Sequence, residues 1–322
     1  MPEAFPVDAM DPQKLGLVAG RLHYFQAVVQ HGSIRQASEL LRVAPSAISR
    51  SIRQLEEDLG APLFERVRQR LKLTSAGETL AYHARASQKE LSRACAFIQD
   101  LQGLRRGRIG IVAVESVTRG LLPAALADFW QRHPNVTVDL RTAGSREAAE
   151  ALADGDCDLA IAFDVRLPRK SRRLAAAQLH LGALMRPDHP AAAQTGPLRL
   201  RDLAGHWVLL ADSGLTVGKL VEDAAQQAGV EFQTRAVSTS INNLVTLVAA
   251  GHGITFQTRV GVERELARGE LHFAPLADRE LKPRQLMLMA PARGPLSEAA
   301  ASLAAMLGGL IATLDEPGRR TD

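Results

Sequence analysis

At 322 residues, with 46% hydrophobic and 23% charged side chains, the chain has the balance of a globular protein and length for two domains. No uninterrupted apolar run is long enough to cross a bilayer, and MPEAFPVDAMDPQKLG lacks the basic-then-apolar order of a secretory leader, so a cytoplasmic protein without membrane contact is expected. Net charge is +4, and nine basic against five acidic residues between Arg21 and Lys72 carry that whole excess, which suits a local contact with a polyanion.

Residues 1–20 read as a flexible lead-in, and a first domain is expected over 21–76. Leu22, Phe25, Val28 and Val29 recur at helical spacing and predict a first helix. His31-Gly32 interrupts it, and Ser33 is placed to cap a second helix through Ile34, Ala37, Ser38 and Leu41. Arg42-Val43-Ala44 makes a tight connection, and Pro45 fits the first turn of a third helix, where its missing N–H costs nothing. That helix, to about Leu59, has an apolar stripe of Ile48, Ile52, Leu55 and Leu59. Its opposite face shows Ser46, Ser49, Arg50 and Arg53. Two short helices joined by three residues, the second displaying hydroxyls and guanidiniums, form a helix-turn-helix candidate for the major groove.

Gly60-Ala61-Pro62 ends the third helix, and Leu63-Phe64 returns an apolar anchor to the core. From Glu65 to Leu73, alternation of Arg68, Arg70 and Lys72 with apolar or neutral residues predicts a short ribbon strand with one basic face. Beside a helix-turn-helix, such a ribbon is a wing laid along phosphates or a minor groove. Ser75 and Glu78 stand in capping-box spacing before a long helix, 77–102, free of proline and of glycine after Gly77. Within it Leu80, Ala84, Ser87, Leu91, Ala94, Ile98 and Leu101 repeat in steps of four and three, a heptad seam that calls for a second copy of the chain. Cys95 on this helix and Cys157 beyond it lack metal-ligand spacing and read as small hydrophobes; neither a metal nor a cofactor is expected.

A hinge at 103–107 opens the next domain, 108–314, ahead of a flexible tail at 315–322. Strands are expected at 108–114, 136–140, 159–161, 182–185, 207–210, 232–237, 253–256 and 286–290. Helices alternate with them through 121–130, from Gly144-Ser145 onward, and through 218–228, 240–250, 258–268 and 296–314. Apolar strands that expect cover on both faces imply two α/β lobes, lobe I over about 108–178 and 282–314 and lobe II over about 179–281. Ligands bind such folds at the strand C-terminal ends. Loops there carry Ser116 with Thr118, Ser145, Ser213, and Thr239 with Ser240, hydroxyls suited to a carboxylate beside helix N–H groups or to capping their own helices. Arg119, at a helix start, either joins such an anion or turns outward. The nine histidines are scattered, no nucleophile, base and orienting acid can be grouped, and no phosphate-loop motif occurs, so an enzyme is not expected.

The segment FQAVVQHGSIRQASELLRVAPSAISRSIRQLEEDLGAPLFERVRQRLKLTSAGETL resembles the DNA-binding domain of LysR-type transcriptional regulators. LLPAALADFWQRHPNVTVDL, ALADGDCDLAI and LVAAGHGITF carry the resemblance to about Leu310. It implies a winged helix-turn-helix, a dimerising linker helix and an effector domain shaped like periplasmic solute-binding proteins. The implied partners are double-stranded operator DNA, further copies in dimers and tetramers, a small-molecule effector and RNA polymerase. Ser49, Arg50 and Arg53 match positions that approach DNA, Arg66 matches the wing arginine, and Thr118 and Ser145 fall in loops that commonly meet effector. Many members carry a glutamine where Pro45 stands, so that base contact is absent here. The expected function is sequence-specific regulation of transcription under control of a small organic anion. The alternative is a ligand-independent architectural binder or repressor with a scaffold-only C-terminal domain.

Overall fold

The computed structural model describes residues 20–67, 70–101, 107–194 and 196–314. Residues 1–19 of the lead-in, the tail at 315–322, hinge residues 103–106 and the wing tip with Arg68 lie outside the described residues, as do the side chains of Arg66 and Leu101. The chain divides into two compact units at residues 106 and 107.

The first unit is built on three short helices. Helix α1 (Gly20–His31), which already includes Gly20, buries Phe25, Ala27 and Val28. Helix α2 (Ile34–Leu41) is capped by Ser33, whose side chain accepts the Gln36 N–H at 3.1 Å, and ends at Arg42 in the left-handed region (φ 53°). Helix α3 (Pro45–Leu59) starts on Pro45 and stops at Gly60, φ 65°, a conformation glycine adopts without steric cost. Val28, Ala37, Ile48 and Ile52 form one apolar cluster; Phe25, Leu63 and Ala81 form a second, with Leu80 packed against it. Leu59, expected in the buried stripe, is exposed, because the last turn of α3 outruns this small core.

In place of one ribbon strand there are two. Strand β1 (Phe64–Val67) pairs antiparallel with β2 (Arg70–Leu73), from Phe64 opposite Leu73 to Val67 opposite Arg70. Helix α4 (Ser75–Leu101) is capped by Thr74, one residue before the expected Ser75: the Thr74 hydroxyl accepts the Gly77 N–H at 3.0 Å and donates to the Pro62 carbonyl at 2.6 Å. A Cβ at Gly77 would fall on the Leu63 carbonyl oxygen. Gly77→Ala should therefore destabilise this unit by about 1–3 kcal/mol, read as a lower unfolding midpoint in denaturant; an unchanged midpoint would show that the junction yields freely.

The second unit begins with β3 (Arg108–Ala113), α5 (Glu115–Arg119), α6 (Leu121–Arg132), β4 (Thr137–Thr142), α7 (Ser145–Ala153), β5 (Leu159–Phe163) and β6 (Ser171–Leu179). There follow β7 (Gly182–Met185), β8 (Trp207–Ala211), α8 (Thr216–Ala228), β9 (Gln233–Ser238), α9 (Ile241–Ala249), β10 (Thr255–Gln257), α10 (Glu263–Ala267) and β11 (His272–Pro275). The chain then returns through β12 (Arg284–Pro291) and ends in α11 (Glu298–Thr313). The 258–268 segment is helical only over α10, since Gly261 (φ 97°) breaks it, and β6, β11 and the short α5 are additions to the sequence reading.

Two sheets result, each with its own core. In the first, order β4-β3-β5-β12-β6, strands β4, β3 and β5 are parallel and β12 runs against both neighbours. Its core joins residues from Ile109 to Leu179 with Leu286 to Ile311. In the second, β7 lies antiparallel between β10 and β11, β8 and β9 are parallel, and a parallel bridge from Val208 to Ile254 connects β8 to the start of β10. Its core runs from Leu181 to Leu281. The chain thus crosses between lobes around residues 180 and 282, on the two strands β6 and β12 of the first sheet. Among the described residues no helix is long and apolar enough to cross a membrane.

Candidate nucleic-acid interface and ligand cleft

In the first unit the hydrophobic side of α3 is fixed by Ile48 and Ile52, which turns Ser46, Arg50 and Arg53 outward, all exposed, with Ser49 half-exposed beside them. No capping side chain or ion pair among the described residues ties down Arg50 or Arg53. The wing is held to this helix by a residue the sequence reading passed over. Glu56, on α3, accepts the backbone N–H groups of Leu63 at 2.8 Å and Phe64 at 3.2 Å, so α3 and the hairpin are fastened at their shared base. Arg21 pairs with Asp58 and closes α1 against the far end of α3. On the hairpin backbone Arg66 stands opposite Leu71, Arg70 opposite Val67 and Lys72 opposite Glu65. The arrangement presents hydroxyl donors and guanidiniums on a helix narrow enough for a major groove.

The expected seam on α4 divides in two. Leu80 and Ala84 face the unit's own core, Ala84 at 3% exposure, whereas Leu91 is half-buried, Ala94 and Ser87 are exposed, and Ile98 is 47% exposed.

Strand direction defines the cleft in the second unit. The C-terminal ends of β3, β4 and β5 share one edge of lobe I, and those of β8, β9 and β10 share one edge of lobe II. Thr118 sits on the first edge: its hydroxyl donates to the Glu115 carbonyl at 3.0 Å and accepts from Thr142 at 3.1 Å. Thr142, at the end of β4, had no signal in the sequence beyond its place after a strand. Ser145 is buried and its hydroxyl accepts the Phe163 N–H at 3.2 Å, so it braces lobe I. Ser213 and Thr239 are exposed in the turns after β8 and β9. Ser116 is half-buried with Gly261 against its backbone, a close approach that leaves no room for a Cβ.

Two members of the predicted set are engaged between the lobes. Ser240 caps α9, accepting the Asn243 N–H at 3.3 Å, and donates to the Glu115 carboxylate at 2.7 Å. The same carboxylate accepts the N–H groups of Ile241 at 2.7 Å and Asn242 at 3.1 Å, so a side chain of lobe I fills the anion position at a helix N-terminus of lobe II. Arg119, instead of facing a free anion or solvent, crosses to lobe II. It donates to Asn242 Oδ1 at 3.0 Å and to the Gly261 carbonyl, and pairs with Glu265 at 2.6 Å, both side chains 19% exposed.

Burial pushes the Glu265 carboxyl upward, but the hydrogen bond from Arg119 and nearby positive charge outweigh it and hold the group below the usual carboxylate range. A depressed carboxyl contributes stability that is complete above its unfolded pKa and is lost as pH falls through the folded one. Glu265→Gln should therefore unfold more readily than the native chain near neutral pH, by about 1–3 kcal/mol. That difference should shrink on acidification below the usual carboxylate range. A difference independent of pH would assign the loss to packing.

At the crossing strands, Arg284 is buried and pairs with Asp164 at 2.7 Å, stacks over the Phe163 ring at 4.5 Å, and donates to Thr216 at 2.8 Å on α8. Burial works against its charge, which Asp164 supports. Cys157 is buried, and burial with the neighbouring Asp158 charge pushes its thiol up to about 12, which makes it unreactive at neutral pH. No cluster of potential metal ligands occurs among the described residues.

A winged helix-turn-helix in one unit and a two-lobed α/β domain with polar residues at its strand ends in the other define a ligand-responsive DNA-binding regulator. The family models match accordingly: the bacterial regulatory helix-turn-helix protein, lysR family, over residues 20–78, and the LysR substrate binding domain over 102–310. The chain belongs to the LysR family of transcriptional regulators. A RuBisCO operon transcriptional regulator of Acidithiobacillus ferrooxidans is 32% identical over 253 residues, 78% of this chain and 81% of that protein. A probable RuBisCO transcriptional regulator of Synechocystis sp. is 28% identical over 279 residues, 85% and 81% of the two chains. Among solved structures, full-length OxyR from Pseudomonas aeruginosa superposes with a TM-score of 0.65 at 20% identity, covering 94% of this chain and 97% of that one. Full-length CbnR with its target DNA gives 0.60 at 20% identity, over 89% and 97%. These two share the fold.

Proposed function

We propose that this sequence-specific regulator is controlled by a small organic anion held in the cleft, and that it binds operator DNA as a dimer or an assembly of dimers. The observation that carries the ligand class is the Glu115 carboxylate on the N-terminus of α9: a lobe edge of this chain already takes a carboxylate through a hydroxyl and backbone N–H groups. Helix α8 opens on the lobe II edge, and Leu215 before it makes no side-chain cap, so its first N–H groups offer the same chemistry to a free anion, whereas on α7 Glu147 already accepts the Gly144 N–H at 3.3 Å. Thr118 and Thr142 supply hydroxyls from lobe I, Ser213 and Thr239 from lobe II. Ser145, Ser116, Ser240 and Arg119 support the cleft from behind or across the lobes. On DNA, Ser46, Ser49, Arg50 and Arg53 face the groove, with Arg66 and Arg68 on the phosphates. RNA polymerase is the partner through which occupancy at a promoter is read.

Closure on the ligand shifts the balance between lobe arrangements, and the arrangement favoured must bind DNA differently for regulation to follow. Calorimetry with organic acids, amino acids and neutral analogues tests the ligand class. An acid should bind the native chain, and Thr118→Val should weaken it about tenfold, the equivalent of one lost hydrogen bond to a charged group. Tight binding of a neutral or cationic compound, indifferent to Thr118→Val, would overturn the anionic class and leave the DNA assignment standing.

A further inference from the structure

Gln257 is the last residue of β10, at 4% exposure, and neither its amide oxygen nor its amide nitrogen has a hydrogen-bond partner. An unmatched buried amide is costly, and native structures keep few of them. Its place in the fold bears on why. β10 runs parallel to β8 and β9 through the Val208–Ile254 bridge, so its C-terminal end lies on the lobe II edge that also carries Ser213 and Thr239. Gln257 pairs in register with Gly182, three residues after Leu179, which pairs with Arg284. The strand end that carries the orphan amide therefore lies on the lobe II edge near the crossing strands, on the side where Arg284 reaches from lobe I to Thr216 of lobe II.

The charge there is already balanced. Arg284 is matched by Asp164 at 2.7 Å, and Asp164 also accepts the Gln285 N–H at 2.7 Å, so a second carboxylate brought to this end would meet the Asp164 anion. A primary amide offers both donor and acceptor, and a ligand hydroxyl answers both without adding charge.

We infer that Gln257 forms a neutral subsite at the crossing-strand end of the cleft and selects an effector that bears a hydroxyl beside its anionic group, a hydroxy acid rather than a plain acid. This rests on the anionic reading of the cleft above. A site built to hydrogen-bond a hydroxyl rejects an analogue without one far more strongly than an apolar pocket can.

Calorimetry with matched pairs, propionate and lactate, succinate and malate, malonate and hydroxymalonate, tests it on the full chain and on Gln257→Leu. The native chain should prefer the hydroxylated member of at least one pair by tenfold or more. Gln257→Leu should erase that preference, hold the plain acid within about threefold of its native affinity, and raise the thermal midpoint by removing the orphan amide. Equal discrimination in both proteins, or a native preference for the plain acid, would overturn the subsite while leaving the anionic cleft intact. Failure of every acid to bind either protein would overturn the anionic reading and the hydroxy-acid class with it.

Discussion

Ile98→Asp is expected to abolish operator binding at concentrations where the native chain saturates its site. Ile98 keeps 47% of its surface exposed in the single chain, so a charge there leaves the protomer's own core untouched. Ala94 and Ile98 are exposed and Leu91 is half-buried, while Leu80 packs on the core of its own unit and Ala84 is buried. In a two-fold dimer each seam residue counts twice, and burying the exposed half of one isoleucine is worth about 1 kcal/mol. Losing both copies should raise the dimer dissociation constant by roughly thirtyfold before the repulsion of the paired aspartates is added. Sedimentation of Ile98→Asp should show folded monomer, with Leu91→Asp behaving alike. A dimer that persists at low concentration in both variants would move the contact to the second unit.

Arg50→Ala should weaken operator binding by about ten- to hundredfold and relax the preference among operator variants, the effect of one base contact worth about 1–3 kcal/mol. The basis is geometric: Ile48 and Ile52 anchor one side of α3, and Arg50 projects from the other without an intramolecular partner among the described residues. Pro45, at the first turn of α3, adds no side-chain donor, so on the proposed reading the groove-facing donors are those of Ser46, Ser49 and Arg50. Arg66→Ala should act otherwise, weakening specific and random DNA alike and lowering the salt dependence by about one unit of slope. Titrations at several salt concentrations with operator and scrambled duplex separate the two behaviours. If Arg50→Ala leaves affinity and sequence preference unchanged, α3 does not read bases through this residue.

The helix-turn-helix was legible because each of its boundaries is a local event: Ser33 caps, Pro45 starts, Gly60 stops. The lobes were legible because their strands are short apolar runs between helical periods. What escaped has physical reasons. β6, with Arg172 and Arg173 followed by alanines, has no strand-like composition, and it becomes a strand only because β12 pairs with it and α11 packs over it. β11 is four residues ending in proline. Helix α10 is cut short by Gly261, whose left-handed backbone is needed for its approach to Ser116. The hydroxyl-bearing loops could be placed after strands from the sequence alone. It could not reveal that Ser240 and Arg119 would be taken by residues over a hundred positions away, Glu115 and Glu265, since such pairings depend on where the lobes meet.

The carboxylate of Glu115 on the α9 terminus has a consequence for sensitivity. It is a tethered competitor: any free anion that takes those N–H groups must displace a group held at an effective concentration on the order of millimolar or more. The concentration at which such an anion acts is then set by the strength of that tether as well as by the anion's own contacts. Glu115→Gln, which keeps the shape and discards the charge, would lower this threshold without altering a residue on the DNA-reading face. A sensor built on this chain could be retuned at that one position while its ligand and its operator stay the same.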